Sequence, residues 1–221
     1  MIYFIILLLL SYLIGSFPTA IISGKITRGI DIREHGSKNA GATNVFRVLG
    51  WKPAVVVMII DVFKGWFASA FIATKLFQDL PIPDIATVQI LCGFAAVMGH
   101  TYTIFGGFKG GKGVGTLAGM LLALFPIAFP LCLIIFIIAL FTTGIVSVCS
   151  ISAAMSLPIF LYLIPLITTI DSAPQSLQIF SLLIPLFVLY THRSNIKRLR
   201  EGTENRFEKV MLFRKKKRAE D

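Results

Sequence analysis

From residue 2 to residue 24 the chain carries no charged side chain at all. At 1.5 Å of rise per residue, about 20 apolar residues suffice for one helix to cross the ~30 Å hydrocarbon layer of a bilayer. Comparable runs cover 53 to about 76 and 85 to 105, followed by 113 to 141, 147 to 167 and 176 to 190. With 56% hydrophobic and only 14% charged residues among 221, the chain is too apolar for a water-soluble domain of this length. The expectation is an all-α integral membrane protein. The first run lacks a basic leader and a small-x-small cleavage site, so it reads as a retained helix rather than a signal peptide.

Charge then sets the topology. The 21 Lys and Arg outnumber the 11 Asp and Glu, and they are clustered: six lie between Lys25 and Lys52 and eleven beyond His192. Such clustering marks membrane faces turned to the cytoplasm, not a nucleic-acid surface. The N-terminus is therefore expected outside and the C-terminus inside. Both the segment after residue 105 and the tail at His192 are cytoplasmic by charge, so an even number of crossings must separate them. Splitting the long 113–141 run at Pro126 and Pro130 gives about seven transmembrane helices. Five helices plus a re-entrant pair is the alternative. On this reading residues 1–191 form one polytopic membrane domain, residues 192–221 form a basic cytoplasmic tail, and R-K-K-K-R at 214–218 lies on anionic headgroups. The 75–84 connection is an outer loop. Asp61 and Lys64, three apart inside the second span, should pair on one helical face. Cys92, Cys132 and Cys149 sit in apolar surroundings without metal-ligand or disulfide spacing. No metal and no cofactor is expected.

Between the spans lie three polar islands. The first, G-S-K-N-A-G-A-T-N-V-F-R at 36–47, combines glycines that let backbone N–H groups approach a ligand, Gly41 among them, with donors on Ser37, Asn39, Thr43 and Asn44. Arg47 adds a fork suited to phosphate oxygens. The second runs from Phe105 to Thr116 and holds G-G-F-K-G-G-K-G. It lacks the Ser or Thr that a nucleotide loop needs after its lysine, but Lys109, Gly110, Gly111, Lys112 and a helix opening at about Gly113 together make an anion site. The third begins with His192 and Asn195 on one helical face, where the histidine serves as general base or as a positioning donor. His100 at the close of the third span has the same two readings, and His35 is expected in solvent. The turn at 142–152 adds Ser147 and Ser150 to this set. All three islands are expected to meet at one membrane face.

G-S-K-N-A-G-A-T-N-x-x-R, G-H-x4-F-x2-F-K-G-G-K-G-V and H-R-x-N-I-x-R-L-x-x-G-x-E, in this order and between apolar spans, resemble the three motifs of the bacterial acyl-phosphate:glycerol-3-phosphate acyltransferases, the PlsY family. The resemblance covers nearly the whole chain. It departs at Lys38, where glycine is commoner, and at Gly115, where alanine is usual. It implies a seven-helix enzyme of the bacterial inner membrane with its active site facing the cytoplasm. Such an enzyme transfers a fatty acyl group from acyl phosphate to the 1-hydroxyl of sn-glycerol 3-phosphate, giving lysophosphatidic acid and phosphate, the first acylation of phospholipid synthesis. It further implies the soluble enzyme that makes acyl phosphate as a partner. Ser37, Arg47, Lys112, His192 and Asn195 become substrate-site residues, with Ser147 alongside, and Lys112, His192 and Asn195 are the candidates for catalysis. No histidine is followed five residues later by aspartate, so the H-x4-D dyad of acyl-CoA-type glycerolipid acyltransferases is missing. A transporter or exchanger of organic phosphates is the rival reading, but it calls for polar groups at midplane and on both faces.

Overall fold

The computed structural model describes residues 2–75 and 84–212. Residues 76–83 of the expected outer loop and the polybasic stretch at 214–218 lie outside the described residues. Among those described, every regular element is helical: α1 (Ile2–Ser16), α2 (Thr19–Arg28), α3 (Ala42–Leu49) and α4 (Trp51–Trp66), which runs through a π-helical turn (Phe67–Ile72) into α5 (Ala73–Lys75). Then come α6 (Ile85–Thr101), α7 (Val114–Leu124), α8 (Ala128–Thr143), α9 (Val146–Ile167), α10 (Gln175–Thr191) and α11 (Arg193–Arg200).

The first apolar run is not one smooth helix. Pro18 has no N–H to continue the ladder, and α1 stops at Ser16 before α2 restarts at Thr19. Lys25 and Arg28, read as following the span, lie in the last turn of α2. The long fourth run does divide: Pro126 falls between α7 and α8, and Pro130 in the first turn of α8, where a missing N–H costs no helical bond. The expected turn at 142–152 is much narrower. Only Gly144, at φ +66°, and Ile145 separate α8 from α9, so Ser147 and Ser150 belong to the start of α9.

Among the described residues, four helical stretches are long and apolar enough to span: Ile2–Arg28, Trp51–Ile72, Ile85–Gly106 and Val146–Ile167. The pair α10–α11, bent by 62°, makes a fifth if counted as one span, whereas α7 and α8 are shorter. Their outward faces are apolar, with Leu9, Ile59, Phe63, Ile159 and Leu183 all exposed. Polar groups such as Ser11, Asp61, Lys64, Ser69 and Thr116 are buried instead. That inversion suits a chain whose surroundings are lipid.

The chain packs as two compact units, Met1–Phe129 with Ala173–Phe180, and Pro130–Ser172 with Ser181–Asp221. In the first unit α1 lies along α6 and α4 along α7. The second contact is backbone to backbone: a Cβ placed on Gly65 or on Gly119 would stand 1.8 Å from the carbonyl oxygen of Thr116 or Val62. Small residues permit the close approach that stands in for hydrophobic driving force in lipid. Ile32, Ala40, Val45, Leu49 and Val57 form one apolar cluster that fastens the first island to α4. In the second unit the chain after α11 returns to the end of α8, with Phe207 N–H on Gly144 O at 2.8 Å and Leu212 N–H on Phe141 O at 3.0 Å.

Candidate functional site

The first island is braced from inside by Asn44. Its Oδ1 accepts from Ser37 N–H at 2.8 Å, and its Nδ2 donates to the carbonyls of Ile32 and His35, both at 3.0 Å. Asn44 is buried, and these three bonds fix the curl of residues 32–44. This expected substrate ligand therefore shapes the loop that presents Ser37, Asn39 and Thr43, each of which is half-buried. The loop leads through Gly41 into α3, whose N-terminus has no side-chain cap. Thr43 and Arg47, four apart, share one face of that helix.

The second island is held from two sides. Gly110 N–H donates to Thr101 O at 3.0 Å and Gly111 N–H to His100 O at 3.2 Å, so these two amides serve the loop and not a ligand, contrary to expectation. Arg33 fastens the other side, its Nη1 reaching Gly106 O at 2.5 Å and Lys109 O at 3.2 Å while its Nε and Nη2 grip Asp31. The Arg33 side chain holds the Asp31 carboxyl below the usual carboxylate range. Sequence reasoning used Arg33 only as a topology charge. The residues linking the loop to α7 are Lys112, half-buried, and Gly113, left-handed at φ +76°; the N-terminus of α7 again lacks a side-chain cap. Lys109 is exposed.

These two islands touch. A Cβ on Gly111 would stand 2.8 Å from the carbonyl oxygen of Ala40, the residue before Gly41. Within three residues of that contact two uncapped helices begin, α3 after Gly41 and α7 after Gly113. Neither helix start has a side-chain cap, and each carries roughly half a positive charge. Lys112 adjoins the same contact, so the geometry favours an anion there.

Beneath the loops lies a buried charge cluster. Lys64 Nζ donates to Asp61 Oδ1 at 2.7 Å, to Phe17 O at 2.6 Å and to Thr19 Oγ1. Thr19 in turn donates to Asp61 Oδ1 at 2.9 Å. The proline break in the first span thus leaves the carbonyl that Lys64 takes up, and the ammonium's three protons are all placed. His100 Nδ1 lies 3.5 Å from the same Oδ1.

In the second unit, Glu204 is the organising group. It accepts from Asn195 Nδ2 at 2.7 Å, from Ser147 Oγ at 3.1 Å and from Arg198 Nε at 2.7 Å. Burial pushes its carboxyl up, but the donors from Asn195, Arg198 and Ser147 outweigh that and hold it below the ordinary value. Ser147 and Asn195 are thus brought together through a carboxylate that the sequence reading left out of the site. The signal was present: Glu204 is the acid that closes the third motif. His192 stands at the N-cap position of α11 without a side-chain cap bond and is buried, with Nδ1 2.8 Å from Val188 O. A carbonyl can only accept, so Nδ1 carries a proton, and in a neutral ring Nε2 is then the acceptor. His35 is exposed, as expected. No group of three His, Cys, Asp or Glu among the described residues is placed to hold a metal.

Known proteins match this arrangement along nearly its full length. A family model described as glycerol-3-phosphate acyltransferase matches residues 5–202. A protein of that name from Chlorobaculum parvum is 44% identical over 93% of this chain and 97% of its own, and one from Chlorobium limicola is 44% identical over 90% and 94%. Two crystal structures of PlsY (YgiH), an integral membrane glycerol 3-phosphate acyltransferase, are 32% identical over 92% of this chain and 95% of theirs. Their TM-scores are 0.74 for the glycerol 3-phosphate form and 0.75 for the lysophosphatidic acid form. Three ordered motifs, a multi-pass helical membrane fold and relatives of this coverage place the chain in the PlsY family of glycerol-3-phosphate acyltransferases.

Proposed function

We propose that the protein transfers a fatty acyl group from acyl phosphate to the 1-hydroxyl of sn-glycerol 3-phosphate, giving lysophosphatidic acid and inorganic phosphate. The observation that carries this is the meeting, at the Gly111–Ala40 contact, of two helix starts without side-chain caps, one of them directly preceded by Lys112 and Gly113. Both substrates are phosphates, and a bilayer-spanning body suits the fatty chain of one of them. The relatives' names point to the same acceptor.

Acyl phosphate is already activated, since phosphate is a good leaving group. The reaction we infer is direct: the glycerol oxygen bonds to the carbonyl carbon, the bond from that carbon to the phosphate oxygen breaks, and the hydroxyl proton passes to the departing phosphate or to a neighbouring base. Arg47 grips phosphate oxygens, and Lys112 with the first N–H groups of α7 offsets charge on the carbonyl oxygen and leaving group. Ser37, Asn39 and Thr43 supply donors, Gly41 room for close approach and Lys109 a peripheral charge, while Gly110, Gly111 and Gly113 let the loop pack against His100, Thr101 and Val97 so that Lys112 is presented. In the second unit we assign His192, through Nε2, as a proton acceptor, and Asn195 and Ser147 to a substrate-orienting cluster held by Glu204. The charge pattern supports seven crossings of a bacterial inner membrane, N-terminus outside and islands inside, with acyl phosphate supplied by a soluble enzyme.

The test is turnover by purified protein in detergent, given palmitoyl phosphate and glycerol 3-phosphate. Lysophosphatidic acid and phosphate should appear in equal amounts, and palmitoyl-CoA should not replace the donor. Efficient turnover with palmitoyl-CoA would refute the donor assignment. For topology, cysteines placed at Ile127 and Ser194, both exposed, should label from opposite sides of sealed vesicles.

A further inference from the structure

The Asp61 carboxylate and the His100 ring form the floor on which the Lys112 loop rests, and the reaction sketched above gives neither a role. Asp61 is 2% exposed, Lys64 3% and His100 8%, so three ionisable side chains are withdrawn from water inside one helical unit. Burying them is costly, and a chain that needed only packing could place apolar residues there at little loss or some gain. Their position explains more than packing does. A Cβ on Gly111 would stand 2.2 Å from His100 Nε2, so the ring edge lies directly against the residue before Lys112. On the other side of Lys112, a Cβ on Gly115 would stand 3.1 Å from Asp61 Cβ. Gly111 N–H is bonded to the backbone carbonyl of His100 as well. The imidazole thus lies between the carboxylate, 3.5 Å from its Nδ1, and the loop at its Nε2 edge.

We propose that Asp61 and His100 are positioning residues for the Lys112 loop: Asp61, itself fixed by Lys64 and Thr19, orients the His100 ring, and the ring sets where Gly111 and Lys112 stand for a substrate phosphate. The proposal rests on the reading of the Gly111–Ala40 junction as a phosphate site. A displacement of about 1 Å at a reacting centre costs on the order of a hundredfold in rate, so a small settling of this floor is enough.

The experiment compares two variants with wild type. His100→Phe keeps a ring of similar shape without polar nitrogens. Asp61→Leu/Lys64→Met removes the charge pair as a whole and leaves neither charge stranded. Each is assayed for turnover, for glycerol 3-phosphate binding by calorimetry and for melting in detergent. Both should melt close to wild type, while KM and Kd for glycerol 3-phosphate rise tenfold or more. Loss of folded protein lowers the maximal rate but cannot raise KM or Kd, so the shift separates positioning from mere support. Unchanged KM and Kd in both variants would overturn the proposal. If wild type binds glycerol 3-phosphate but does not turn over, the proposed reaction fails alone, and the variants' Kd still decides the inference.

Discussion

Each unit buries a carboxylate, and the two are treated differently. Asp61 shares a helix with the lysine that neutralises it, inside a span, with both side chains about 3% exposed. Glu204 follows α11 and is met by an amide, a hydroxyl and Arg198, whose side chain is 32% exposed. The backbones differ in the same sense. Among the described residues, the non-glycine ones held left-handed, Lys38 and Phe108, both at φ +59°, fall in the first unit's two islands, whereas the second unit's left-handed positions are the glycines 144 and 202. Desolvated charge and strained backbone therefore coincide where the anion site is proposed, a pairing common at functional sites. The second unit's cluster is closer to an ordinary boundary network.

The widest gap between the units should appear on removing one partner. Lys64→Met strands Asp61 among helices and should cost about 3–5 kcal/mol, with Asp61→Leu in the same chain restoring most of it. Arg198→Met, beside a partly solvated pair, should cost about 1 kcal/mol or less. Melting of the three variants in detergent checks the order, and equal losses would erase the distinction. Next in size is Lys112→Ala, expected to lower kcat by roughly a hundredfold or more, about 3 kcal/mol of transition-state stabilisation, with a smaller change in KM. Arg47→Lys tests the fork: the charge stays and the bidentate grip goes, so KM for a phosphate substrate should rise. Normal kinetics in both would make the islands headgroup anchors.

Much of this was open to a reader of the sequence because it rests on local rules. Apolar runs specify helices long enough to span, Pro126 divides the fourth run, and Gly113 opens α7 where a helix start was expected. What escaped depended on partners far along the chain. The break at Pro18 gains its meaning from Lys64, which takes the Phe17 carbonyl 47 residues away. Arg33 reads as a boundary charge until Gly106 is seen at its tip, and Asn44 reads as a ligand until three loop groups consume its amide. Spacing within an element reports faces; closure of a hydrogen-bond network across elements leaves no period to find.

A smaller effect should separate Glu204 from its counterpart. Glu204→Gln keeps the shape and the acceptor for Asn195 and Ser147, but sets an amide against Arg198, and should cost about 1–2 kcal/mol. The sign with pH follows from its depressed folded value. Its contribution is full above the ordinary carboxylate pKa and is lost as pH falls through the lower folded one. Wild-type melting should therefore drop below about pH 4.5 more steeply than that of Glu204→Gln, and parallel curves would remove Glu204 from the network's energetics.

The smallest effect is the most local. Lys38 holds φ +59°, a conformation in which Cβ crowds the carbonyl and costs a non-glycine residue on the order of 1 kcal/mol. Glycine relieves the crowding but gives the unfolded chain more freedom, which returns part of the gain. Lys38→Gly, the commoner residue in the resembling motif, should therefore raise stability by about 0.5–1 kcal/mol and leave kcat and KM within twofold, since the exposed lysine is not assigned to substrate. Lys38→Ala is the control. It removes the same charge but keeps Cβ, so it should not gain stability. If alanine stabilises as much as glycine, crowding among the cations near the first island, and not backbone strain, is what Lys38 costs the protein.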